Sequence, residues 1–597
     1  MINCDVVIVD SGVTLENTSI LRGTNVEFTQ DGFSYNNNLT DDFGHGSIIY
    51  SIINQTVESS NIFNLKLYAE QDELDDSALI AALTYILKNI RCKIINISLG
   101  VQTGENIDEL YSVCSEITAM GTIIVSAFDN EGCFSYPAAF DCVIGVDSKN
   151  DFKTATEFDY VENSRINIFA KGSVQRLRLV DGRLLLVGGS SIACAHITAL
   201  LANAPLKPYD LQGALSYLKS RSRYICPPHQ DRDVAKTTYF KINNAVVFPF
   251  SKEMQAFVRF ADMLPFNVKD YYDVRYSGKV GRKLSSYYEE VGLDKQIKDI
   301  DYIEFADVDT IILGHLDELN AITHHDYREQ IIKKAIAAHV NIYSFDPLTE
   351  YSEVLSKARL KNFYPQVTIN DLPQNTFGKL FKISKPVVGI FGTSSQQGKF
   401  SLQLTLMREL KASGYNVGTI GTEPHSLLLG MDVVFPMGYN STVSLDNSEI
   451  VSFLNNEINH LCNGGREIIL VSTQAQIVPY CYNNLLEFPV MQYHFALGTA
   501  PDAIVMCINY HDEFQYIRNS IYALIGLTNA EIIGFVMYPI TYASEWNGIY
   551  GNSKHKISDR EFQEKAEMLV KEFQIPVYLL GDKRHMNDLC RSVIEYF

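Results

Sequence analysis

Three short stretches in the first third of the sequence carry residue types that together can attack a peptide carbonyl. A run of four aliphatic residues ends in Asp10-Ser11-Gly12, and parallel α/β sheets place their chemistry at the carboxyl ends of their strands. Gly44-His45-Gly46-Ser47 sets an imidazole among small residues at the head of an apolar run, 48–53. Gly188-Gly189-Ser190-Ser191, followed by an Ala-rich stretch to His196, lifts a serine hydroxyl to a helix N-terminus, where developing negative charge is favoured. Each has a structural explanation when taken singly: an Asp capping a turn, a His at a tight helix start, a Gly-Ser-Ser turn. Together an acid, a base and a hydroxyl are the parts of an activated nucleophile.

A fourth stretch has the chemistry of phosphate binding. The apolar run 387–391 leads into Gly392-Thr393-Ser-Ser-Gln-Gln-Gly398-Lys399-Phe400-Ser401, then a helical period through Leu402, Leu406 and Leu410. Successive loop N–H groups and a helix N-terminus bind anionic oxygens, and Lys399 adds a point charge. Five residues separate Gly392 from Gly398 and the hydroxyl lies at Ser401, one position later than in the standard P-loop. Where an acid for magnesium is expected, the run 468–471 leads into Ser472-Thr473-Gln474 instead. Glu423 or Asp432 would then have to supply it.

The order Asp10, His45, Ser191 is that of subtilisin, and not that of chymotrypsin or the α/β-hydrolases. Two further segments fit: Asn96-Ile-Ser98-Leu99-Gly100, and Val125 to Gly132 around Asn130, followed by Ser135-Tyr-Pro137 and Val143-Ile-Gly-Val146. On these motifs the chain from residue 1 to about 245 resembles a subtilase, a subtilisin-like serine peptidase. The resemblance implies that Ser191 attacks the scissile carbonyl, His45 takes its proton and Asp10 orients His45. It implies that Asn130 and the Ser191 N–H receive the oxyanion, and that Ser98, Leu99 and Gly100 bind substrate backbone by strand addition. Three departures stand out. Ser190 and Ile192 replace the usual Thr and Met, Ala195 replaces a Pro, and Phe128-Asp129 replaces small residues before Asn130. The bulky Phe128 is expected to narrow the pocket beside the oxyanion site. The catalytic strand begins within ten residues of Met1, so an intracellular enzyme without an inhibitory pro-segment is expected.

The Gly392 loop resembles that of dethiobiotin-synthetase-like P-loop enzymes. More widely, residues 256–597 resemble a family that pairs a Rossmann-like domain with such a P-loop and includes D-glutamate N-acetyltransferases. Gly421-Thr-Glu423 and Gly498-Thr-Ala-Pro-Asp502 are further echoes. ATP or GTP with Mg²⁺ is the implied ligand, held by Gly392, Thr393, Gly398, Lys399, Phe400 and Ser401. A homodimer is compatible with such domains.

The elements that must position these residues are short β-branched runs alternating with helical periods, at 5–9, 93–97, 122–125, 310–313, 387–391, 468–471 and 503–506. That alternation predicts α/β architecture with parallel sheets covered on both faces. Three such domains are expected in 597 residues: a subtilisin-like one at 1–250, a Rossmann-like one at 251–385 and a P-loop one at 386–597. No dinucleotide fingerprint occurs in the middle segment, and His324-His325 is better explained by a helix cap than by a metal, so no metal site is expected. With 50 Lys plus Arg against 70 Asp plus Glu, the net charge of −20 argues against nucleic acid or anionic membrane as partners. Eleven scattered cysteines, no signal peptide and no membrane-length apolar run point to reduced thiols in a cytoplasm. The expected function is a serine endopeptidase with one dedicated peptide substrate, removing the leader of a ribosomally made peptide, with the nucleotide module regulatory or accessory. The alternative is ATP-dependent carboxylate activation or acyl transfer in the C-terminal half, with the peptidase accessory.

Overall fold

A computed structural model describes residues 1–14, 21–29, 32–67, 75–180, 182–228, 239–286, 295–542 and 554–597. The chain forms two compact units, one of Met1–Gln230 with Pro373–Ser384, the other of Asp231–Leu372 with Lys385–Phe597. The polar, Pro-containing stretch Arg221–Lys236 lies outside the described residues from 229 onward.

The first unit is built on a ten-stranded sheet, parallel except at two pairings near its edges. Val6–Asp10 lies near its middle, with Ile62–Lys66 on one side and Ile94–Ile97 on the other. Its aliphatic residues, Val6 to Val9, are at most 1% exposed, as a strand covered by helices on both faces requires. The strand order runs outward in both directions from this strand, so Asp10 stands at a switch point of the sheet, where open α/β sheets leave a crevice. Ile94–Ile97, Ile123–Ala127 and Ile144–Lys149 follow in order on one side.

The second unit contains two wholly parallel sheets, one of six strands and one of seven. In the seven-stranded sheet Val387–Gly392 is central, between Ile468–Ser472 and Ala503–Ile508. The expected α/β class with three predominantly parallel sheets is therefore what the chain adopts.

Two expected domain edges shift. The first domain was expected to run to residue 250, but Asn244–Phe248 pairs with Asn267–Asp273 and Thr310–Leu313 inside the six-stranded sheet. Ala245, Val246, Val247 and Phe248 are each 0% exposed, and a strand apolar on both faces needs neighbours on both sides. The second edge, at 385, is crossed in the other direction: residues 373–384 return to the first unit. Among the described residues all eleven cysteines are free, and no helix is long and apolar enough to cross a membrane.

Candidate active site

Asp10 ends its strand with a buried carboxylate whose Oδ1 accepts the Ser11 N–H at 2.8 Å. The chain then turns at Gly12, with φ 113°, a conformation that side chains rarely adopt. Room is short here in a second way: a Cβ on Gly46 would lie 2.1 Å from the Gly12 carbonyl. Helix His45–Ile53 thus abuts the strand-end turn, and Gly44, at φ 78°, precedes it. Gly46 is required by this close approach, and Gly44 by its left-handed φ.

A residue that the sequence reading passed over fixes the approach. Buried Asp41 accepts the Ser11 hydroxyl and the Gly44 N–H on Oδ1, each at 2.8 Å, and the N–H and hydroxyl of Ser47 on Oδ2, each at 2.7 Å. Ser11 Oγ in turn accepts the Gly46 N–H at 3.0 Å. One carboxylate at a helix N-terminus, where anions are favoured, therefore ties the turn carrying Asp10 to the helix carrying His45. The spacing Asp41-x-x-Gly-His-Gly-Ser was the available signal, since an acid a few residues before a Ser can cap the helix start.

His45 bridges the other two residues. Its Nδ1 lies 2.8 Å from Asp10 Oδ1 and its Nε2 2.9 Å from Ser191 Oγ. Burial pulls the imidazole down, but the Asp10 hydrogen bond and charge, with Asp41 behind, outweigh it and hold His45 above its ordinary pKa.

Ser191 is the second residue of helix Ser190–Ala202, whose cap Gly189 has φ 125°. The helix runs unbroken through Ala195, so the missing Pro does not disturb it. The Ser190 N–H donates to Asn130 Oδ1 at 2.9 Å, and its hydroxyl bonds the Phe128 carbonyl. Asn130 Nδ2 is left uncommitted among the described residues and Asn130 is exposed. The ladder of Ile94–Ile97 stops at Ile97, and Ser98, Leu99 and Gly100 continue half-buried without a strand partner among the described residues. Asn96, 0% exposed, ties that strand to the helix carrying Ser191: Oδ1 accepts the Thr198 hydroxyl at 2.8 Å while Nδ2 donates to Ser98 Oγ at 2.8 Å.

Phe128 does not narrow the oxyanion pocket as expected. Its ring is 1% exposed and packs inward, edge-on to Phe134 at 5.9 Å and against Gly145. The residue is held by its backbone carbonyl, so its side chain is free to join the core.

In the second unit the Gly392 loop caps helix Lys399–Ala412 through Gly398, with φ 77°. Lys399 is 4% exposed, its Nζ lies 2.6 Å from the Ser394 carbonyl, and burial lowers it to about 8. Gln397 folds across the loop, accepting the Ser394 N–H at 3.1 Å and donating to Thr393 Oγ1 at 2.5 Å. The N–H groups of Ser395, Gln396 and Gly398 find no acceptor among the described residues, which is the donor set an anion cradle needs. The Phe400 ring packs on His425 at 4.8 Å.

The acids fall differently from expectation. Asp432 is committed to Arg466 and to Thr419, and Ser401 Oγ accepts from Arg259 at 2.7 Å. Buried Asp512 instead accepts the Thr393 hydroxyl; it follows the strand paired beside Gly392, an adjacency the sequence does not display. Glu423 is raised chiefly by burial and electrostatically faces Lys399. In the six-stranded sheet His315 Nδ1 lies 2.7 Å from Asp346 Oδ1, and Arg328 holds Oδ2 at 2.6 Å. Both residues follow the carboxyl ends of paired parallel strands. His324 is a left-handed helix cap, and no metal-binding cluster occurs among the described residues.

Residues 3–211 match the subtilase family, and residues 375–583 match a domain of unknown function described as the DUF1611_C P-loop domain. The chain is 24% identical over 226 residues to Proteinase T of Parengyodontium album, spanning 35% of this chain and 74% of that protein. A DUF1611 family protein from Anabaena variabilis is similar in structure at 14% identity and a TM-score of 0.42, covering 60% of this chain and all 100% of that one. The nisin leader peptidase of Lactococcus lactis is similar at 18% identity and a TM-score of 0.28, covering 33% and 76%.

Proposed function

We propose, from the premise that residues 3–211 form a subtilase domain joined to a DUF1611 P-loop domain, that this chain is a serine endopeptidase. One observation carries the reading: the two ring nitrogens of His45 reach Asp10 and Ser191 at 2.8 and 2.9 Å. Ser191 Oγ bonds the scissile carbonyl carbon as its proton passes to His45 Nε2, and Asp10 stabilises the imidazolium through Nδ1. Asn130 Nδ2 and the Ser191 N–H receive the carbonyl oxygen as it becomes negative. His45 then protonates the leaving amine, and water repeats the sequence on the acyl-enzyme. Extended substrate adds along Ser98, Leu99 and Gly100, a reading supported by the ladder that ends at Ile97.

The finer reading is one dedicated peptide or protein substrate, of the class of a leader segment removed from a ribosomally made peptide. Its support is that eleven cysteines are free among the described residues, which suits a proposed reducing cytoplasmic setting, where an unrestricted peptidase would degrade its neighbours. The P-loop module is proposed to bind ATP or GTP with Mg²⁺, since Lys399 and the unpaired loop amides fit phosphate oxygens. Bound nucleotide would supply negative charge that orders this loop, while peptide hydrolysis itself needs no phosphoryl energy.

A second reading, transfer chemistry in the second unit, is favoured by the His315–Asp346 pair at 2.7 Å, which is built like a general base and its orienting acid. Purified full-length protein offered a peptide library separates the readings. Cleavage lost in Ser191→Ala and kept in His315→Ala supports the peptidase; cleavage kept in Ser191→Ala overturns it.

A further inference from the structure

The subtilase match ends at residue 211 and the P-loop match begins at 375, yet residues 373–384 pack as part of the first unit. Part of that packing falls on the loop that carries Asn130. Leu380 gives its carbonyl to the Phe134 N–H at 3.0 Å. Phe381, 5% exposed, stacks on Phe134 with ring centroids 4.6 Å apart. Lys379 Nζ lies 5.5 Å over the Phe128 ring and 3.1 Å from Asp147 Oδ2, the two side chains 8% and 14% exposed. Upstream, Asn375 pins the segment by donating to the carbonyls of Glu162 and Pro227, each at 3.1 Å.

Phe128 and Phe134 flank Asn130 in the sequence, and this segment touches the Phe128 ring and both the ring and the N–H of Phe134. On the Ser190 side, the Phe128 carbonyl and Asn130 Oδ1 are the two acceptors. The loop is therefore held between the nucleophile helix and a stretch of chain from outside the subtilase region. A buried ammonium is costly to desolvate, and the Asp147 carboxylate with the Phe128 ring face offsets that cost at one geometry. An arrangement this restrictive fixes where Phe128, and so Asn130, can stand.

We propose that residues 373–384 are a positioning strap for the oxyanion loop, with Lys379 and Phe381 as its positioning residues; the proposal rests on the peptidase reading above. The strap acts through Asn130 and touches no substrate. Lys385, the next residue, begins the second unit, so the strap is also the covalent route from the strand of the phosphate loop to the peptidase site.

The test is the second-order rate of Ser191 modification by a fluorophosphonate on full-length protein. In that step Ser191 Oγ bonds phosphorus, fluoride leaves, the proton passes to His45, and the phosphoryl oxygen occupies the oxyanion site. Lys379→Met and Phe381→Leu are each measured alone and combined with Asn130→Ala. Phe381→Leu keeps the core apolar and serves if unpaired Asp147 prevents folding of Lys379→Met. The strap role predicts roughly tenfold slowing in the parent, part of the ~100-fold or more that a lost oxyanion donor costs, and no further slowing in the Asn130→Ala background. Equal slowing in both backgrounds, or no slowing in the parent, overturns the strap. A parent protein that takes no probe overturns the peptidase reading, and the strap with it.

Discussion

The backbone N–H of Ser190 donates to Oδ1 of Asn130 at 2.9 Å, and the Ser190 hydroxyl reaches the same oxygen at 3.1 Å. The residue before the nucleophile thereby decides which end of the Asn130 amide is turned outward. In the proposed mechanism Nδ2 is the end that receives the oxyanion. Asn130→Ala is expected to lower kcat on a cleaved peptide by ~100- to 1000-fold with little change in KM. A comparable loss appearing only in KM would make Asn130 a ground-state contact.

Because Asp10 and Asp41 together outweigh burial, His45 titrates above its ordinary value, and only the neutral imidazole can accept the Ser191 proton. The acid limb of kcat/KM is therefore expected above about pH 6.5. Linkage runs the other way. A raised folded pKa contributes stability that is full below the unfolded value and is lost as pH rises through the folded one. Activity thus appears in the window where that contribution fades. Asp10→Asn should move the limb to lower pH and reduce kcat by about 10⁴-fold; an unmoved limb in the pH–rate profile contradicts the assignment of His45 as base.

Asp41 holds Ser11, Gly44 and Ser47 on one buried carboxylate. Removing it strands several donors, so Asp41→Ala should cost on the order of 3 kcal/mol in denaturant unfolding of the first unit. Asp41→Asn should cost less. A neutral Asp41→Ala would mean that the turn and helix are held together by packing alone.

Lys399, lowered to about 8 by burial, is partly neutral at pH 8.5. Binding of MgATP there should draw a proton onto it, since phosphate favours the ammonium form. Calorimetry in buffers of different ionisation enthalpy should show proton uptake, which Lys399→Ala removes while weakening binding. Binding without uptake would mean that the phosphates do not meet this lysine.

What the sequence displayed and what it concealed follow one physical line. Asp10, His45 and Ser191 were legible because each sits at a strand end or helix start marked by glycines that its own backbone needs. Asp512, Asp346 and the 373–384 strap were not, since their meaning comes from partners that only strand order brings near. Phe128 was misjudged for a related reason: a bulky residue beside a site says nothing of which way its ring turns. The first domain was expected to extend to 250 because the apolar run at 244–248 does not name its neighbours.

The central claim, that His45 activates Ser191 for attack, is tested most directly by mapping a fluorophosphonate adduct on the full-length protein by mass spectrometry. The account predicts a single adduct on Ser191, formed faster as pH rises through the His45 transition, absent in Ser191→Ala and strongly slowed in His45→Ala. No adduct on the native protein, or labelling of Ser191 that His45→Ala leaves unchanged, would contradict it.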